Sequence, residues 1–214
     1  MYGVTISGKH SLDDYGMYLQ PKSIPVPESK TTTVSIEGAN GHIDLSTVLT
    51  DGNMMYENRS IELTFAAIGF GTEADTRIQT FVNAIHGKTH EFIFDDDLEH
   101  YYTGRFEVSK REYNNGYTLI TVKVDADPYR YDVEVTQINR TISGVGVMNV
   151  TNARKWVVPT ITASAEMTVQ FEGVVYQVIE GRHVNDNIVL RDGINTLVFS
   201  GNGTVLVEYR QGVL

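Results

Sequence analysis

Apolar residues alternate with polar ones over much of this chain, and the three-and-four spacing of an amphipathic helix occurs convincingly once. A period of two sends successive side chains to opposite faces of a strand. Each such strand must bury one face, so a chain written this way folds as sheets. In 59–68, Ile61, Leu63 and Phe65 share one face and Ser60, Glu62 and Thr64 the other. Further strands are predicted at 31–36, 43–45, 89–94, 101–113 and 117–125. The helix is predicted over 72–86, where Ile78, Phe81, Val82 and Ile85 form the stripe. Thr72 suits its cap, Asp75 its first turn and Gly87 its end. Such a helix would lie across a sheet and close one side of the core.

Two hairpins follow from turn chemistry. Gly38-Ala39-Asn40-Gly41 separates Val34 and Ile36 from Ile43 and Leu45. A two-residue Asn40-Gly41 loop would set Glu37 against Asp44, with two acids opposed. A four-residue loop pairs Ile36 with Ile43 and Val34 with Leu45, and cross-strand packing favours it. Tyr113-Asn114-Asn115-Gly116 marks the second hairpin. A three-residue loop over 114–116 pairs Val108 with Val122 and Phe106 with Val124. The two-residue alternative opposes Val108 and Lys123.

Asp127-Pro128 ends this run, and no second helical stripe follows. Short strands are expected at 156–163, 167–171, 174–179, 187–190, 196–199 and 204–210. They are punctuated by Glu172-Gly173, Asp192-Gly193 and Ser200-Gly201-Asn202-Gly203. The fold class is therefore mainly β. A domain over 1–130 carries one α-helix and a β-hairpin arm, and 131–214 forms a small antiparallel β-sandwich.

At 214 residues, with 41% hydrophobic and 21% charged residues, the chain can build ordinary cores without staples. It has no cysteine, which removes disulfides, thiol nucleophiles and thiolate metal sites together. The formal charge of -10 disfavours non-specific nucleic-acid binding, because phosphate contacts need Lys and Arg. No apolar run approaches a membrane span, and MYGVTISGKHSLDD lacks the layout of a signal peptide. The sequons at Asn58, Asn139, Asn149 and Asn202 then read as chance.

Each enzyme-like motif fails a geometric demand. Gly69-Phe70-Gly71-Thr72-Glu73-Ala74 matches GxGxxA, but that fingerprint needs a buried parallel strand before it, and 59–68 alternates. Gly87-Lys88-Thr89 ends a helix where a phosphate loop would open one. Asp95-Asp96-Asp97-Leu98-Glu99-His100 lacks the alternating spacing and the glycine of a calcium loop, and reads as a solvated turn. His86 and His90 are split by Gly87, and no GxSxG elbow occurs. No catalytic, metal or cofactor-binding residue is assigned. Trp156, the single tryptophan, could stack on a sugar, although packing at a domain edge is the simpler reading. Tyr101, Tyr102, Tyr117, Tyr129 and Tyr131 fit a subunit interface or the flank of a sheet.

In order and spacing, a series of segments resembles the distal tail proteins of siphophages and prophages. They are Gly38–Gly41, Tyr56-Glu57-Asn58-Arg59-Ser60-Ile61, the single helix, Tyr101-Tyr102-Thr103-Gly104-Arg105-Phe106, Val158-Pro159-Thr160-Ile161-Thr162, Asp192-Gly193-Ile194-Asn195-Thr196-Leu197 and Val207-Glu208-Tyr209-Arg210. The resemblance implies a tail-tube-like first domain and a galectin-like second one. It implies a virion protein, assembled in the bacterial cytoplasm, that forms a hexameric ring at the distal end of the tail. That ring would join the tail tube to the tail-associated lysin or spike and anchor receptor-binding proteins, while DNA passes through its channel without specific binding. It also implies a hairpin arm reaching a neighbour. Residues 31–49 are the candidate, with Val34, Ile36, Gly38, Gly41, Ile43 and Leu45 as its contact residues. The alternative, of another class, is an adsorption protein that recognises host cell-wall saccharide through the second domain, with Trp156 as the contact.

Overall fold

The first strands of the computed structural model, which describes residues 3–69, 71–114 and 116–214, are short: β1 (Val4–Ile6), β2 (Lys9–His10) and β3 (Met17–Leu19). A long excursion follows, containing β4 (Thr33–Val34) and β5 (Ile43–Asp44). Then come β6 (Arg59–Ile68), α1 (Gly71–Ile85), β7 (Thr89–Phe94), β8 (Asp97–Asn114) and β9 (Tyr117–Ala126). The order across the main sheet is β2-β1-β7-β8-β9-β6-β3. The chain divides into two compact units, residues up to Arg130 and Tyr131–Val213, each with its own core.

The alternation read in 59–68 is realised. Ile61, Leu63, Phe65 and Ala67 point inward with Ile120, Val122 and Val124 of β9, while Ser60 and Glu62 face out. Helix α1 covers that inner face with Ala74, Ile78, Phe81 and Ile85, and Phe81 meets Phe65 edge-on at 4.9 Å. Thr72 lies inside the first turn and does not cap it. Lys88 closes the other end, donating from Nζ to the carbonyls of Asn83 and Ala84 at 2.8 and 3.1 Å, where the helix dipole favours a cation.

The β8–β9 hairpin shows how a turn and a ladder trade residues. Val108 faces Val122 and Phe106 faces Val124, as expected, yet Asn114 pairs directly with Tyr117. The extra residue assigned to the loop sits instead in a bulge at Ser109, between Val108 and Lys110. Asn115 of that turn and Phe70 of the glycine motif lie outside the described residues.

In the second unit, β10 (Arg130–Asp132), at the junction between the units, is followed by β11 (Thr136–Asn152), β12 (Thr160–Ala163) and β13 (Met167–Phe171). β14 (Val174–Val178), β15 (Gly181–Val184), β16 (Gly193–Tyr209) and β17 (Gly212–Val213) complete it. β11 and β16 pair antiparallel without a break, from Thr136 opposite Tyr209 to Asn152 opposite Gly193. β13 joins β16 over 198–201 and β12 joins it over 205–208, so the two ends of one strand belong to two halves of a folded sheet.

Several expectations for this half need correction, among them the strand over 156–163, which begins only at Thr160. Ser200–Gly203 does not end a strand, because the chain bends there and continues as β16. Gly201 and Gly203 permit the bend. Their φ values are 148° and 151°, and a Cβ on Gly201 would lie 2.6 Å from Met167 Cβ. The segment 136–152 forms one strand although Arg140 and Gly144 interrupt its inward phase and Val145 and Val147 stand exposed on its outward one. The span 187–190 is not a strand: Leu190 makes a single bridge with Val157. The overall class is mainly β with one helix, as the alternation implied.

Candidate assembly surface

The arm is anchored by a narrow stalk. Ser29 bridges Tyr56, the Lys30 amide donates to the Met55 carbonyl at 2.8 Å, and the Glu57 amide donates to the Glu28 carbonyl at 2.8 Å. Beyond the stalk, β4 and β5 form a two-stranded sheet of their own. Val34 lies opposite Ile43, and the Leu45 amide donates to the Thr32 carbonyl. This register is two residues away from the expected one. Ile36 gives its carbonyl to the Ala39 amide at 3.1 Å and so leaves the ladder, which lengthens the loop. Gly38 and Gly41, with φ of 84° and 78°, carry the chain through it. A shift of two preserves the faces, so Val34 and Ile43 still stand side by side.

Every residue from Glu28 to Leu45 is exposed. Val34, Ile36, Ile43 and Leu45 leave between 38% and 49% of their surface open, and Leu49 is 97% exposed. An isolated two-stranded hairpin is marginal in water, and a run of uncovered apolar side chains adds to that cost. Some local order is built in. Asp44 accepts from the Ser46 amide and hydroxyl, and these hydrogen bonds hold its carboxyl below the usual range.

A second apolar surface of this unit lies on the outer face of the main sheet. Ile68 pairs with Tyr117 and Ala66 with Leu119. With Gln20 and Thr64 these residues line a cavity of about 450 Å³. The signal for it in the sequence is that apolar Ala66 and Ile68 stand on the phase that Ser60 and Glu62 mark as outward.

The acidic run at 95–97 resolves into separate partnerships. Asp95 accepts from the Gly3 amide at 2.6 Å and faces His10 Nε2 at 3.2 Å, and Asp96 binds Lys22. Asp97 faces His100 Nδ1 at 2.7 Å and accepts from Arg130 at 2.8 Å. Burial raises the Asp97 carboxyl, but the His100 hydrogen bond and charge, with Arg130, outweigh it and hold the group below the ordinary value. Among the described residues, no cluster of three or more His, Asp or Glu could hold a metal ion. β6 is antiparallel to both neighbours, so the glycine motif after it lacks the parallel strand that a dinucleotide site requires.

In the second unit Trp156 is half-buried, and the Arg191 guanidinium lies 4.9 Å from its ring centre. Arg191 is tethered to Glu172 at 3.3 Å. A sugar stacking on that ring face would have to displace it. Asn195 pins the loop beside them, accepting from the Arg191 amide and donating to its carbonyl, both at 2.8 Å.

No protein-family model matches the chain, and no curated protein matches it in sequence. Among solved structures, it superposes on the crystal structure of SPP1 Dit (gp 19.1) with a TM-score of 0.75 over 100% of both chains, at 18% identity. This chain has the Dit fold. SPP1 Dit is presented as a paradigm of the hub of the adsorption apparatus in phages that infect Gram-positive bacteria. The Dit fold spans both compact units, so neither is an appended extra domain.

Proposed function

We propose that this protein is a non-enzymatic structural component of a phage tail tip: a ring-forming hub that joins the tail tube to the tail-associated lysin or spike and carries receptor-binding proteins. The supporting observation is the match to a hub protein over the whole length of both chains. In this reading the first unit builds a hexameric ring, and the exposed arm over 31–49 reaches the next subunit. The arm and whatever receives it are different surfaces, so the contact is heterologous, and a rotation that closes gives a ring. The -10 charge suits a channel through which DNA slides without sticking. The ring would be found in the virion after assembly in the host cytoplasm.

Mass photometry and negative-stain imaging of the purified protein, alone and with its tail-tube and lysin partners, test this. Six-fold rings are expected. A chain that stays monomeric in every mixture would sink the proposal.

A further inference from the structure

Arg59 stands on the inward phase of β6, in register with Ile61 and Leu63, and only 4% of its surface is exposed. Among the described residues no carboxylate pairs with its guanidinium, whose hydrogen bonds go to backbone carbonyls. One terminal nitrogen donates to the carbonyl of Pro128, and the other lies 3.5 Å from the carbonyl of Pro25. The charge also sits 5.6 Å from the centre of the Tyr102 ring. Burial lowers its pKa, and the nearby Arg130 adds to the effect. Its Nε has no hydrogen-bond partner among the described residues. A buried cation kept without a counter-ion costs stability, so its position calls for a reason beyond packing.

The two carbonyls supply that reason. Pro25 lies at the root of the arm, next to the buried Pro27, and Pro128 lies where the chain leaves the first unit. A second contact joins the same two places: Tyr56, on the returning side of the stalk, meets Tyr129 edge-on at 5.9 Å. We propose that Arg59 is a positioning residue that clamps the arm root to the 128–129 segment and so sets the direction in which the arm leaves the body. The use of that direction rests on the ring reading above. The clamp itself does not.

Native-state hydrogen exchange on the full chain separates the two. In Arg59→Lys, which keeps the charge but cannot span two carbonyls, the stalk amides of Lys30 and Glu57 should exchange about tenfold faster, the equivalent of one charge-assisted hydrogen bond. The amides of Val122 and Val124 should keep their protection. Tyr129→Ala, which loosens the second tie and leaves Arg59 intact, should give the same pattern more weakly. If both variants fold and stalk exchange is unchanged, or if core and stalk amides accelerate together, the clamp is wrong. If the stalk loosens in a protein that never forms rings, the clamp stands and the hub reading falls.

Discussion

Gly201 and Gly203 illustrate how a single residue type can mislead and still matter. In a sequence, two glycines around an asparagine read as a turn. In the fold they let one strand bend from one half of a sheet to the other, and the space beside Gly201 is already taken by Met167. Gly201→Val should cost the second unit about 2 kcal/mol or more, from overpacking and a disfavoured φ together. Ser200→Val, at an exposed neighbouring position, should change little. Urea unfolding curves of the two variants check this, and equal midpoints would refute the packing account. Asp97 gives a pH signature. Its folded pKa is lowered, so its contribution is present above the unfolded value near pH 4 and is lost as pH falls further. Asp97→Asn should therefore be less stable than the parent at pH 7, and the two should converge toward pH 3. Denaturant midpoints across that range test the point, and parallel curves would remove Asp97 from the account. Arg59 was readable only in part: its phase placed it inward, but no local pattern names carbonyls 34 and 69 residues away as its partners.

Elements with a strong period were legible, and those whose pattern is interrupted were not. β6, β7 and β13 match their expected spans, and α1 begins one residue before its expected start and ends one residue before its expected end. β11 lacks a clean period in the sequence because Arg140 and Gly144 stand on its inward phase while Val145 and Val147 stand on its outward one. The arm was visible as a hairpin but its register was not. Turn chemistry says that the chain reverses near Gly38–Gly41, whereas the hydrogen bond from Ala39 to Ile36 decides where pairing begins. On the hub reading, Val34→Asp combined with Ile43→Asp should abolish ring formation. Both residues are already exposed, so the melting temperature should move by only a degree or two. Mass photometry beside a thermal scan measures both, and intact rings from a folded double variant would exclude these two side chains from the contact.

For the whole molecule, the fold class could be read from the alternation and the single helical stripe, and the proposed hub role draws on likeness of fold to SPP1 Dit. No single reactive motif marks such a role, because a ring needs shape and repeated contacts more than placed reactive groups; only the order of weak segments points to it. The absence of cysteine offers a clean probe of those contacts. A cysteine introduced at Leu49 would be the single thiol in each chain, and a fluorophore placed there should be shielded on assembly. Unchanged emission in assembled rings would place Leu49 outside the interface.

The unbroken pairing of β11 with β16 also sets a timetable. Its innermost rung joins Asn152 to Gly193 and its outermost joins Thr136 to Tyr209, so a long stretch of chain must be looped out before the first rung can form. In the first unit, β7, β8 and β9 are neighbours in sequence and can zip from tight turns. Contacts between residues far apart along the chain form slowly, because loop closure costs entropy before pairing repays it. During synthesis the first unit should therefore be in place while the second still waits for its last strand. Until β16 arrives, the backbone N–H and C=O groups along that edge of β11 have no partner strand.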